Sequence, residues 1–278
     1  MPSPGEIFTS LKGYVDTPEG RLHYRRAGAG SPLVLLHQSP TSSAMWEPLL
    51  PELAARGIDA VALDLPGMGM SDPPPSPPDM PYYARRIADG IERLGLGRVD
   101  MLGHHTGTTV ALTVAASRPA AVRRLVAYGV PLLDRAFARE LADAAPPTFA
   151  EDAAEQLRWW RQLWAAAPGN EATVVPRTMA DLLSMGARAS WPHNAVGRVD
   201  HAALLAALRA PLLVLAGERE MLRRESETAA ALSPWARFQA LGDVGGWVAD
   251  EDPVALADAV VAFLRLPDEA VIPGSVEA

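Results

Sequence analysis

No cysteine occurs among the 278 residues. That absence excludes disulfides, thiolate catalysis and Cys-based metal sites. Long apolar runs are missing too, and no uncharged apolar stretch approaches the ~18 residues that a membrane span needs. The N-terminal Met1–Phe8 stretch (MPSPGEIF) has no basic run followed by an apolar one, so no secretory signal is expected. Basic residues are outnumbered, 25 Lys and Arg against 33 Asp and Glu, for a net charge of −8. Nucleic acid and anionic membranes find no basic footprint here. The pairs Arg25-Arg26, Arg85-Arg86, Arg123-Arg124 and Arg223-Arg224 are scattered among acids and read as solvated faces. Gly67-Met68-Gly69 lacks the further glycine and following helix of a phosphate-binding loop, so no nucleotide is implied. No His, Asp or Glu pair has ligand spacing on one helix, which argues against a metal. The expectation is a soluble, cytoplasmic protein with no cofactor, no metal, no nucleic-acid partner and no membrane partner. The oligomeric state is left open.

What the chain does have is an ordinary globular composition, 49% hydrophobic and 21% charged. Its length suits one large α/β domain with an insertion, or two small domains. Pro32–His37 (PLVLLH) reads as a strand buried on both faces. Ser43 to Gly57 reads as a helix capped by Ser43, and 59–64 as the next strand. A proline-rich loop follows, then a helix over 82–94, a strand over 98–103, a helix over 106–117 and a strand over 123–129. The recurring strand–helix–strand unit predicts a mainly parallel sheet with right-handed crossovers. Residues 12–26 suit an antiparallel edge ribbon, with His23 solvated on it.

From 131 to 209 no strand is convincing. The segment is Ala-rich and carries Trp159, Trp160, Trp164 and Trp191, as a helical cap would. Strands resume at 211–216 and 236–241. A helix over 252–266 buries Val254, Leu256, Ala257, Val260, Val261 and Leu264, and the tail from Pro267 frays. The expected organisation is a core over 1–130, a helical cap over 131–209, and the rest of the core over 210–278.

Four stretches, in order, resemble the α/β-hydrolase superfamily over residues 20 to 266. His37–Pro40 (HQSP) resembles its His-Gly-x-Pro oxyanion loop. Asp64–Ser71 (DLPGMGMS) matches its Asp-x-x-Gly-x-Gly-x-Ser loop. Gly103–Gly107 (GHHTG) matches the nucleophile elbow. Asp250–Pro253 (DEDP), ahead of an apolar helix, matches its C-terminal end. His37–Ser43 is also similar to the dehalogenase and epoxide-hydrolase branch. The resemblance implies an α/β-hydrolase fold, a mostly parallel sheet with helices on both faces and an inserted helical cap.

The family's catalysis needs a Ser or Asp nucleophile, an acid and a late His. Here the elbow carries His105, the acid position carries Glu220, and Gly246 stands where the late His belongs. His201 is the last histidine of the chain. An imidazole can serve as general base near neutral pH. Loss of the late His leaves a vacancy beside Gly246 that His105 could partly fill, approaching Glu220. By the resemblance, Ser39 and Thr106 supply oxyanion N–H groups, while Gln38, His104, Gly246, Trp247, Trp164 and Trp191 line a large apolar pocket. His37 supports the oxyanion loop, and His193 and His201 are packing residues of the cap.

Such a pocket without a nucleophile suits proton abstraction next to a carbonyl: an epimerase, isomerase, cyclase or lyase of natural-product biosynthesis. The substrate would be a bulky small molecule or modified peptide. Among superfamily members lacking the triad, the point of resemblance is the peptide epimerase of bottromycin biosynthesis. Two other classes stay open, an atypical hydrolase of esters, epoxides or amides, and a small-molecule binding protein.

Overall fold

Why the described chain, residues 10 to 271 of a computed structural model, folds around one sheet follows from its strand patterns. β1 (Leu11–Thr17) and β2 (Gly20–Ala27) form a ribbon. β3 (Ser31–Leu36), α1 (Leu50–Ala55), β4 (Ile58–Leu63), α2 (Met80–Arg93), β5 (Val99–His104), α3 (Thr106–Ser117) and β6 (Val122–Tyr128) then alternate. Five helices follow with no strand between them: α4 (Arg135–Ala142), α5 (Ala154–Ala166), α6 (Glu171–Met185), α7 (Trp191–Gly197) and α8 (His201–Ala207). β7 (Leu212–Ala216), α9 (Arg223–Ala231), β8 (Ala236–Ala240), α10 (Val248–Glu251) and α11 (Pro253–Leu264) complete the order.

The strand order is β1-β2-β4-β3-β5-β6-β7-β8. β1 and β2 are antiparallel to their neighbours; from β4 to β8 every pairing is parallel. Successive side chains point to opposite faces of a strand, and both faces here are apolar. Val34, Leu36, Val61, Leu63, Met101 and Leu125 join a core with α2, α3 and the inserted helices. Leu33, Leu35, Ala60, Ala62, Leu102 and Val126 join a second core under α1, α10 and α11. That explains the near-continuous apolar runs of β3, β4 and β5. β3 pairs with β4 on one side and with β5 on the other. The chain therefore changes winding direction between β3 and β5, and a crevice opens at their carboxyl ends.

Several expectations change in detail. The helix expected over 43–57 is split into a short 3₁₀ turn, Ser43–Trp46, and α1. Pro48 and Pro51 prevent one continuous helix, and Ser42 rather than Ser43 caps the turn. The ribbon is not all edge, since β2 pairs with β4. His23 on it is buried rather than solvated, its Nδ1 2.8 Å from Asp64 Oδ2. Val254 is exposed at the start of α11, while the other expected apolar positions of that helix are buried. The tail is tied down as far as Val271. The buried Arg124 guanidinium donates to the carbonyls of Phe263, Leu264 and Leu266 and to Asp268, satisfying the open end of α11. Residues 1–9 and 272–278, which carry the signal-peptide reading and the last part of the tail, lie outside the described residues. Among the described residues no helix is long and apolar enough to cross a membrane.

Candidate active site

The floor of the crevice is the turn between β5 and α3. His105 takes φ 45° and ψ −104°, a conformation that costs about 1–3 kcal/mol and clusters at functional sites. Its neighbours leave no room for anything but glycine. A Cβ at Gly103 would stand 2.5 Å from Gly107 O and Thr108 N, and one at Gly107 would stand 2.1 Å from Leu36 O. Strand, turn and helix thus cross at backbone contact, and the His105 side chain is thrust upward from the crossing. His105 N–H donates to Tyr128 O at 3.0 Å, which ties the turn to β6.

The ring then runs over Gly129, where a Cβ would lie 2.2 Å from His105 Cδ2. Beyond it His105 Nε2 meets Glu220 Oε1 at 2.8 Å. Glu220 sits in the loop after β7 and is only 4% exposed. Burial pushes its pKa up, but the His105 charge and hydrogen bond and the N–H groups of Leu222 and Met221 outweigh burial, so it lies below its ordinary value. An ionised Glu220 accepts from Nε2–H, which leaves Nδ1 as the basic nitrogen of His105. The two residues expected to pair are therefore brought together.

His105 lies in the wall of a cavity of about 750 Å³, roofed by α5, α6 and α7. Of the residues expected there, Gln38, Ser39, His105, Gly246 and Trp247 line it. Gln38 Nε2 reaches Gly246 O at 3.4 Å. Ser39 N–H points at Thr106 Oγ1 across a long 3.4 Å, so a better acceptor can take it. Thr106 opens α3, where the first N–H groups lack helical partners and the dipole favours negative charge.

Three expected residues, Trp164, Trp191 and His104, stand outside the lining, and Thr106 offers only its backbone. Trp164 is 49% exposed and stacks on Trp160, because it sits on the outer face of α5. Trp191 opens α7 away from the cavity. Thr106, expected for its backbone N–H, has its side chain buried beneath the floor and outside the lining. His104 lies behind His105 and outside the lining, its ring 4.5 Å from the His105 ring, stacked on Tyr128 at 5.0 Å and edge-on to Trp46. Its burial drives the imidazole well below its ordinary pKa, so it packs as a neutral ring.

Other residues become visible only in three dimensions. From the cap, Trp159, Leu163, Leu182 and His193 line the cavity. Burial first, then the His105 charge, pushes His193 down to about 4, with the Ser39 carbonyl opposing. Nothing in the local sequence distinguishes Trp159 from Trp164; which face of α5 turns inward settles it. His37 supports the loop as expected: its Nε2 accepts from Leu65 N–H at 2.9 Å and its Nδ1 donates to Gln38 O at 2.8 Å. His201 packs in the core against Thr109 Oγ1 at 2.8 Å. His104, His105 and Glu220 each bring one potential ligand atom to within 4.8 Å of the others. Helical spacing could not reveal that cluster, since the three come from a strand end, a turn and a distant loop. Around a tetrahedral zinc, ligand atoms stand roughly 3.3 Å apart, so these would have to close in and break the His105–Glu220 bond.

The family model described as alpha/beta hydrolase fold matches residues 31–253. The chain is 34% identical over 139 residues to a haloalkane dehalogenase of Mycobacterium marinum, covering 45% of this chain and 47% of that protein. It is 37% identical over 105 residues to a soluble epoxide hydrolase of Corynebacterium sp., covering 38% and 36%. The chain thus spans about half or less of the length of these curated relatives. A solved hydrolase from Pseudomonas aeruginosa superposes with TM-score 0.79 at 27% identity, covering 92% of this chain and 98% of that one. Two of these three proteins are named hydrolases and the third a dehalogenase, and none of them is named an epimerase or isomerase.

Proposed function

The chain belongs to the α/β-hydrolase fold family, and from that premise we propose that it is a hydrolase that uses water directly, without a covalent intermediate. One observation carries this reading: the 2.8 Å His105–Glu220 contact at the wall of the cavity, where the family keeps its nucleophile. His105 Nδ1 takes a proton from water as the water oxygen attacks an acyl carbon. The tetrahedral oxyanion is held by the N–H groups of Ser39 and Thr106. Collapse expels the leaving group, which takes the proton back from His105. Glu220 holds the tautomer and stabilises the imidazolium, as a carboxylate does for histidine in a triad. The hydrolase names of the relatives support water as the proton source. The apolar lining suits a bulky ester, lactone or amide with a good leaving group.

A second reading keeps the same base and takes the proton from carbon next to a carbonyl, in an epimerase-, isomerase- or lyase-type reaction. The lack of any nucleophile at the elbow favours it. A binding protein with no turnover is the third class.

Hydrolysis of aryl esters in ¹⁸O-water separates these. Net hydrolysis by any route puts ¹⁸O in the acid product; direct attack in addition releases the phenol without a burst, leaves no acylated protein on acid quenching, and leaves the protein unlabelled by a fluorophosphonate probe. Deuterium entering a carbon without net hydrolysis would establish the second reading instead. Covalent labelling at the elbow would overturn both.

A further inference from the structure

The cap brings a second imidazole into the cavity. His193 is partly buried and lines the same cavity as Ser39 and His105. Its helix is held firmly. Pro192, Ala195 and Val196 of α7 are buried, and Asn194 Nδ2 donates to the carbonyls of Leu141 and Ala144, both at 3.0 Å. One ring nitrogen of His193 bonds to the Ser39 carbonyl. A carbonyl only accepts, so that nitrogen carries the proton. Burial first, then the His105 charge, keeps the ring from taking a second proton near neutral pH. The other nitrogen is therefore a bare lone pair that accepts and cannot donate.

That acceptor is open to a ligand. Among the described residues, both ring nitrogens of His104 are buried without a partner, and neither nitrogen of His193 is sealed in that way. No protein donor is hydrogen-bonded to the free nitrogen among the described residues. On a ring that lines the cavity, such an atom opens on the cavity.

The lining restricts what meets it. Its carboxylate and its guanidinium are both engaged, Glu155 by Thr148 and Arg219 by Asp243 and Glu251. His105 Nε2 is held by Glu220. A cation entering this largely apolar space would lose its water with no free carboxylate to replace it. An anion would meet only a lone pair at His193. A neutral N–H or O–H fits. Covering the nitrogen with an apolar group strips its water and returns nothing, whereas a donor restores the bond. We propose that His193 is a specificity-determining residue, whose free ring nitrogen accepts a neutral N–H or O–H from a substrate with an otherwise apolar frame. This rests on reading the cavity as the substrate site and is independent of which bond is broken there.

His105 Nδ1 is a second acceptor in the cavity, so the test must tell the two imidazoles apart. Indole donates one N–H and has no acceptor nitrogen; 1-methylindole keeps the frame and lacks the donor. Both are titrated against the full chain near neutral pH by ligand-detected NMR. Indole is expected to bind about tenfold more tightly, the scale of one unmatched polar group. His193→Leu is expected to abolish that preference. His193→Gln is expected to keep it, since the amide retains a donor for Ser39 and an acceptor for the ligand. His105→Ala is expected to keep it too. Indole binding no better than 1-methylindole, a preference that survives in His193→Leu, or one that vanishes in His105→Ala would overturn the proposal. If His193→Leu does not fold, ¹⁵N-labelled histidine in the unmutated chain decides the matter. Indole should then shift the unprotonated nitrogen of His193 upfield and 1-methylindole should not; equal shifts would overturn the proposal as well. Because turnover is not the readout, loss of the hydrolase reading leaves this result standing, and the reverse.

Discussion

The floor of the cavity is made of strand ends and tight turns, its roof of helices inserted between β6 and β7. In the floor, backbone meets backbone: Gly103 and Gly107 lie where β5, the elbow and α3 cross, and His105 is held in a left-handed conformation. In the roof, contact is by side chains on α5, α6 and α7, and large apolar residues such as Leu157, Trp160 and Trp164 stay exposed. The two are joined by a few polar contacts, Arg177 to Asp250 at 2.7 Å and Ser42 Oγ to Asp181 at 2.9 Å. On the proposed function, the base is thus built into the part held by backbone contacts, and the fit to a ligand into the part held by side chains, which tolerates change more readily.

The sharpest way to break that contrast is at the crossing point. Gly107→Ala drives a methyl into the Leu36 carbonyl, so it should cost more than about 4 kcal/mol or prevent folding. Chemical denaturation measures this, and near-native stability would mean that the floor is softer than its geometry. Next is the base. His105→Ala should lower turnover by ~10² to 10⁴-fold with little change in KM. A fall in binding without a fall in kcat would assign the imidazole to the fit instead.

The joint between floor and roof should respond to pH. Burial first, together with the Asp64 charge, pushes Asp181 up from 3.8 to about 6, against the Ser42 hydroxyl and Arg177. A raised carboxyl pKa means that the folded state holds the proton more tightly. Its contribution to stability is fully present below about pH 3.8 and is lost as pH rises through 6. At about 1.4 kcal/mol per unit, the change is roughly 3 kcal/mol. Asp181→Asn should remove that slope, which urea midpoints at pH 4 and pH 7 would reveal. Equal slopes in both proteins would sink the assignment.

The smallest effects belong to the roof. Trp159→Ala should raise KM about tenfold and leave kcat nearly unchanged, because it removes apolar surface from the ligand without touching the base. Trp164→Ala, on the outward face of the same helix, should change neither. Equal effects at the two positions would show that α5 turns in solution.

Legibility in the sequence follows the same division. The parallel sheet, α2, α3 and α11 were readable because strand and helix periods are local. The elbow was readable because a backbone crossing admits only glycine at two set positions. The His105–Glu220 pairing was an expectation from a lost histidine, and the distance now supports it. His23, Trp164 and Trp191 were misplaced because each depends on what packs against it. The local pattern puts His23 on an exposed edge ribbon, but β2 pairs with β4 and the loop after β4 brings Asp64 onto His23. Trp159 and Trp164 differ only by which face of α5 turns inward, and only the packed cap sets that.

By itself, then, the chain determined its fold class, its turns and the identity of the residue at the elbow, because hydrophobic period and glycine sterics act over a few neighbours. Tertiary structure alone decided which side of each cap helix faces the cavity. It also decided that Gly129 gives His105 a path to Glu220, and that among the described residues Glu220 Oε2 is left without a hydrogen-bond donor. Those outcomes depend on surfaces brought together from β5, β6 and the loops after β7 and β8. No local pattern encodes distances between segments that meet only when the sheet closes.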